Sequence, residues 1–229
     1  MSESIKRMYE VINGETLYLA SRRGIGVAND VIYGCRLTHC HVQIGYPGGA
    51  SIFCSSFTHC ILEVSRTCRE SWDGCFFDAC TFRGKYYDCR FGLHSRQCSG
   101  QGGLRRCDFT AATLNLCSYL NCTPDDLRLP PWPHVTIFYP QKHADDCADL
   151  LRDPILATIH ESMTHTSPEV VAITYHLPSY IKQTRPWVIR SWELGKLLAK
   201  ARSEPPPPEP VISLETIREL LQKKSCVFM

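Results

Sequence analysis

Histidine and cysteine are the residues of this chain whose types and placement invite chemistry, with nine His and fourteen Cys in 229 residues. His39 and His59 each precede a cysteine and stand 20 residues apart. A structure repeating every 20 residues would set them side by side on one outer face. Two imidazoles are half of a metal site. No spacing fixes a third ligand and no C-x-x-C pair occurs, so the expectation is two exposed polar side chains, with no metal and no cofactor. His134, His160, His165 and His176, with a carboxylate such as Glu161, are the groups from which an acid–base pair would be drawn. Cys40, Cys60, Cys80, Cys98 and Cys117 follow at intervals of 20, 20, 18 and 19 residues, and a nucleophile among them would need exposure and a positive neighbour. Gly100, Gln101, Gly102 and Gly103 hint at a phosphate loop but lack the Lys-Ser/Thr that completes one, and so read as an ordinary loop. Cys226-Val227-Phe228-Met229, behind Lys223 and Lys224, matches a prenylation box on Cys226. Two lysines supply little of the second signal that anchoring needs, so a terminal strand or tail finishing a cap is the preferred reading.

What must position these groups is a five-residue beat of a small residue, a variable one and a large apolar one. It runs through Cys35-Arg36-Leu37, Cys40-His41-Val42, Ala50-Ser51-Ile52, Ser55-Ser56-Phe57, Cys60-Ile61-Leu62, Cys75-Phe76-Phe77 and Cys80-Thr81-Phe82. The register slips by one residue, then resumes in Cys89-Arg90-Phe91, Cys107-Asp108-Phe109, Ala112-Thr113-Leu114 and Cys117-Ser118-Tyr119. Four such units per superperiod fit a square, stacked chain path.

Over residues 30–124 this pattern resembles the pentapeptide-repeat family. The resemblance implies a right-handed parallel β-helix, a quadrilateral solenoid with the small and the large apolar residue both pointing inward. Residues 43–49 and 93–104 break the beat and are expected to leave the coil and rejoin it. Free Cys fills an inward small position as a compact hydrophobe. Stacked strands lie about 4.8 Å apart, wider than the roughly 3.8 Å between Cβ atoms in a disulfide. The five cysteines are therefore read as a structural, reduced ladder.

Composition divides the chain near residue 124, because 12 of 14 Cys precede it and 13 of 15 Pro lie at or after Pro130. Residues 1–29 read as a β-rich N-terminal cap, 30–124 as the β-helix, and 125–229 as a Pro-rich exit with an α-helical C-terminal capping region. One last strand is expected before Pro140. Helical stripes follow in Ile155, Leu156, Ile159 and Met163, in Leu194, Leu197, Leu198 and Ala201 behind a Ser191 cap, and in Leu214, Ile217, Leu220 and Leu221 behind Ser213. Residues 204–210 read as a polyproline spacer. Trp132 and Trp187 each adjoin a proline, a setting shared by binding surfaces and packing anchors.

The functional expectation is a non-catalytic, cytoplasmic scaffold that presents a rigid face to a protein partner. An immunity or antitoxin-like role rests on fold-level analogy alone. No secretion signal or membrane span is expected behind Met1, and a cysteine-rich chain without one suits a reducing compartment. Residues 30–124 carry 9 Lys or Arg against 7 Asp or Glu and the whole chain is +2. That balance argues against nucleic-acid binding and against the acidic DNA mimicry known among pentapeptide proteins. Two rivals remain: an enzyme whose pocket lies between the solenoid and its cap, and a lipid-anchored peripheral protein, membrane contact being expected only through Cys226. Homodimer formation is compatible with either architecture.

Overall fold

Most five-residue units fold as a short strand closed by one residue in the left-handed region. Tyr9, His39, Cys54, His59, Ala79, Asp88, Arg106, Leu116 and Asn121 all have φ between +51° and +57°. Most of them immediately precede an inward small residue, so the bend that a left-handed residue makes is repeated along the chain. The computed structural model describes residues 5–19, 30–45, 50–69, 71–96, 98, 102–206 and 213–229. Its strands are β1 (Lys6–Met8), β2 (Val11–Asn13), β3 (Thr16–Leu19), β4 (Asp30–Tyr33), β5 (Arg36–Thr38), β6 (His41–Ile44) and β7 (Ala50–Phe53). Then come β8 (Ser56–Thr58), β9 (Ile61–Val64), β10 (Phe76–Asp78), β11 (Thr81–Tyr87), β12 (Arg90–Phe91), β13 (Gly103–Arg105), β14 (Cys107–Asp108), β15 (Ala112–Asn115) and β16 (Cys117–Leu120). The remainder comprises β17 (Leu127–Arg128), β18 (His134–Phe138), α1 (Pro154–His165), β19 (Val170–His176), α2 (Leu177–Arg202), α3 (Leu214–Leu221) and β20 (Val227–Phe228).

The fold is mainly β, and its long sheets are parallel. The chain visits three sheets in turn and then returns to the first. Strands β1-β4-β7 form one, β2-β5-β8-β10-β13 the second, and β3-β6-β9-β11-β14-β17 the third, with β15 pairing off β11. Leu37 lies opposite Phe57 and Phe57 opposite Phe77, a step of 20 residues. The next step is longer, because Phe77 pairs with Leu104 and Thr81 with Asp108. The extra length is spent between β12 and β13, where the beat was expected to leave and rejoin. Gly102 belongs there of necessity, since a Cβ on it would sit 2.3 Å from the Leu93 carbonyl oxygen. Gly84, at φ +96°, lets β11 bend from one sheet into the next where a Cβ would meet the Val64 carbonyl at 2.2 Å.

Inside, large apolar residues stack in register. Phe57 lies on Phe77 with ring centroids 5.1 Å apart, Phe82 on Phe109 at 4.3 Å, and Phe91 on Tyr119 at 5.8 Å. All six are fully buried, each contributing about 2–3 kcal/mol of transfer free energy. A second core is built differently. Strands β19, β18 and β20 add antiparallel to β16, and α1, α2 and α3 cover them through Ile155, Ile159, Met163, Ile181, Ile217 and Leu221.

Three expectations change on this framework. Residues 5–19 are not a separate cap but pair in parallel with β4, β5 and β6. There Glu10 and Glu15 stand where later repeats have Cys35 and Cys40, as Arg36 N donating to Glu10 O and His41 N to Glu15 O show, so the beat was hidden. Residues 125–229 are mixed rather than helical, because Val170–His176 forms a buried strand. Helix α2 begins at Leu177 instead of Ser191 and runs through Pro186. Pro186 is exposed, so the carbonyl it leaves without an intrahelical donor sits on the solvent side. Residues 207–212 of the proline-rich spacer, like residues 20–29, lie outside the described residues. Among the described residues no helix is long and apolar enough to cross a membrane.

Candidate functional site

The register fixes where each cysteine stands. Cys40 donates to Ile12 O at 3.5 Å, Cys60 to Leu37 O at 3.4 Å, Cys80 to Phe57 O at 3.4 Å and Cys107 to Phe77 O at 3.5 Å. Each thiol thus reaches back to a carbonyl of the preceding repeat, a bond that alanine could not supply. The ladder is therefore Cys40, Cys60, Cys80 and Cys107. Cys98 and Cys117 do not belong to it. Cys98 lies in the excursion and forms a disulfide with Cys54. Cys117 stands over Cys89 in another column, where Ser118 N donates to Cys89 O. The 18-residue interval to Cys98 was a coincidence of spacing, since the long return places the true partner of Cys80 27 residues on. Burial pushes the Cys75 thiol up to about 12 and the Cys107 thiol up to about 11, so these sulfurs are poor nucleophiles at neutral pH.

Outward-facing positions of the same strands form polar rows. On the β3-β6-β9-β11 sheet, Gln43 lies opposite Glu63 and Glu63 opposite Arg83. His41 Nε2 lies 2.8 Å from Glu63 Oε2, and Gln43 Nε2 donates to the same carboxylate at 3.4 Å. Around the corner, His39 and His59 stack with centroids 5.1 Å apart and planes 5° from parallel. Both are exposed, as their place in the repeat implied. On the next face Asp78 accepts from Arg105 and, at 2.8 Å, from Arg106. The Arg105 hydrogen bond, opposed by burial and aided by Arg106, holds the Asp78 carboxyl well below the usual range, at about 2. His39, His41 and Glu63, with the exposed Arg105 and Arg106 that cover the buried Asp78, therefore occupy adjoining rows of one mixed-charge surface.

No protein family, curated protein or solved structure was found to match this chain.

The histidines of the C-terminal region do not converge on Glu161. His134 is buried with both ring nitrogens engaged, Nε2 accepting from Leu114 N at 3.2 Å and Nδ1 facing Pro131 O at 3.2 Å. Burial lowers its pKa to about 4. His176 packs on it at 4.8 Å and is lowered as well, by burial and by Lys85. His160 Nε2 meets the Ala144 carbonyl at 2.9 Å, and His165 Nδ1 the Glu161 backbone oxygen at 2.8 Å. An open cavity of about 330 Å³ is lined by Tyr139, Gln141, Lys142, Pro168 and Val170, none of them a predicted acid or base.

Cys226 is buried, its sulfur 3.9 Å from that of Cys147. Phe138 N donates to Cys226 O at 2.9 Å and β20 pairs with β18. Modification of that thiol would require this strand to leave its sheet. Among the described residues no three His, Cys, Asp or Glu side chains gather as a metal site would need. The two Trp–Pro settings part company: Trp132 packs on the second core beneath Arg218, whereas Trp187 is 71% exposed.

Proposed function

We propose that the parallel strands wind as one right-handed quadrilateral β-helix of the pentapeptide-repeat kind, closed at one end by residues 125–229. The protein acts as a non-catalytic scaffold, and its protein partner binds the mixed-charge rows around Glu63, Arg83 and the His39–His59 corner. The observation that carries this reading is the unbroken 20-residue register of β5, β8 and β10 and of β6, β9 and β11. Such a register sets side chains about 4.8 Å apart on a surface that cannot readily deform. The surface suits a macromolecule of mixed charge and offers a small molecule little enclosure. Twelve free cysteines, all but Cys122 fully buried, support a reducing, cytoplasmic setting, with Cys54–Cys98 the exception.

The test is affinity capture with three immobilised baits: the wild type, a Glu63→Arg/Arg83→Glu double variant, and an Arg96→Glu control in the excursion. A protein retained by the first and third baits and lost from the second would support the reading, given unchanged circular dichroism. If every retained protein also stays on the double variant, the proposed face is wrong.

A further inference from the structure

We propose that α2 is a docking helix for an anionic phospholipid bilayer. Trp187, Leu194, Leu197 and Leu198 are 71%, 57%, 66% and 48% exposed. At 100° per residue they fall within about a 100° arc of the helix surface. Four large apolar side chains on one stripe are unlike the singly scattered ones that need no explanation. The opposite side is occupied, since Ile181, Val188 and Ala199 are buried. The side carrying those three is therefore closed to a partner, while the apolar stripe is left uncovered.

Charge decides what that partner is. Leu177–Arg202 contains Lys182, Arg185, Arg190, Lys196, Lys200 and Arg202 against Glu193 alone. With the chain at +2 and this helix at +5, the rest of the chain is −3. Among the described residues no carboxylate pairs with any of these six cations within salt-bridge distance. Lys196 instead lies 4.1 Å over the Trp192 ring. Lys182 and Lys200 run along one flank of the apolar stripe, Arg190 lies within it and Arg202 borders the other flank, positions from which their long stems can reach polar headgroups while the leucines insert. A second copy would bring like charge against like. A protein that wraps a helix in a groove would need the side already buried. An anionic membrane asks only for a flat approach to one basic, apolar face.

The test is vesicle flotation with the full-length chain. Phosphatidylcholine vesicles are compared with vesicles in which roughly a third of the lipid is phosphatidylserine. The wild type is expected to float with the anionic vesicles and to be released by salt. Leu194→Gln/Leu198→Gln should weaken binding by about tenfold, and Arg190→Glu/Lys200→Glu should reduce it to the level seen with phosphatidylcholine. All these side chains are exposed, so both variants should melt like the wild type. The Glu63→Arg/Arg83→Glu variant should bind vesicles normally, which separates this result from the fate of the polar rows. Three results would overturn the proposal: no wild-type binding to anionic vesicles, undiminished binding by the leucine variant, or a solution dimer that the leucine variant dissolves. Stoichiometric binding of calmodulin without vesicle binding would reassign the face to a helix-binding protein.

Discussion

The two hydrophobic cores of this molecule are held together by opposite means. In the first, one contact is repeated: phenylalanine lies on phenylalanine and thiol reaches to carbonyl, from Ile12 to Phe109. In the second no contact recurs, and specific polar pairs take over. Thr136 and Thr174 share a buried 2.8 Å hydrogen bond, Thr174 also reaches Tyr119, and Asp153 caps α1 by accepting from Ile155 N and Leu156 N. Strand β16 belongs to both, carrying Tyr119 in the first core and Leu120 in the second. Repetition makes every layer depend on its neighbours, whereas singular contacts make each residue answerable mainly for itself.

The sharpest way to break this comparison is to put a charge into a repeated layer. Phe82→Asp should abolish folding, because its ring is fully buried against Phe109 and the carboxylate would have no partner. Arg83→Asp, one residue on and exposed, should melt like the wild type; similar circular dichroism from the two variants would refute the register. Next in size, Ile159→Ala in the second core should cost about 3 kcal/mol in urea unfolding. Amide exchange should then quicken in β18 and β19 more than in β5 and β8, and uniform quickening would show the cores to be one cooperative unit.

A pH effect of smaller size separates the cores again. His134 is held at about 4 against an ordinary 6.5, so between those values the unfolded chain binds a proton that the native one refuses. Its stabilisation is complete above pH 6.5 and drains away as pH falls toward 4. His134→Gln should flatten the stability profile over that window, and an unchanged slope would mean that the ring is not confined as described. The smallest change is expected from Asp78→Asn, about 1 kcal/mol, because it loosens Arg105 and Arg106 only at the rim. Thiol labelling without denaturant should find Cys122 first, since the other free cysteines are buried.

What could be read in advance follows the same division. Period five was legible wherever a small residue had to fit between stacked layers, as at Cys35, Cys40, Cys60, Cys75 and Cys80. It was illegible at Glu10 and Glu15, where among the described residues no layer lies beyond the first and the position need not be filled. Cys107 was missed as the fourth rung because spacing alone cannot count residues spent outside the stack. Strand β19 escaped notice because Val170–His176 is buried almost throughout and shows neither alternation nor helical period. The histidine corner could be foreseen from the 20-residue interval. The Glu63 network could not, because its members lie on different strands with nothing but register to unite them.

The excursion between β12 and β13 shows how a stacked chain can grow. Phe77 and Leu104 face one another as faithfully as Phe57 and Phe77 do, although the intervening path is longer by seven residues. Alignment is enforced by the layer beneath and not by the length of thread between, so the rim tolerates an insert that a closed barrel would have to redistribute around its girth. A short foreign epitope grafted near Arg96 would accordingly be displayed on a firm pedestal, its far end moored by the Cys54–Cys98 bond.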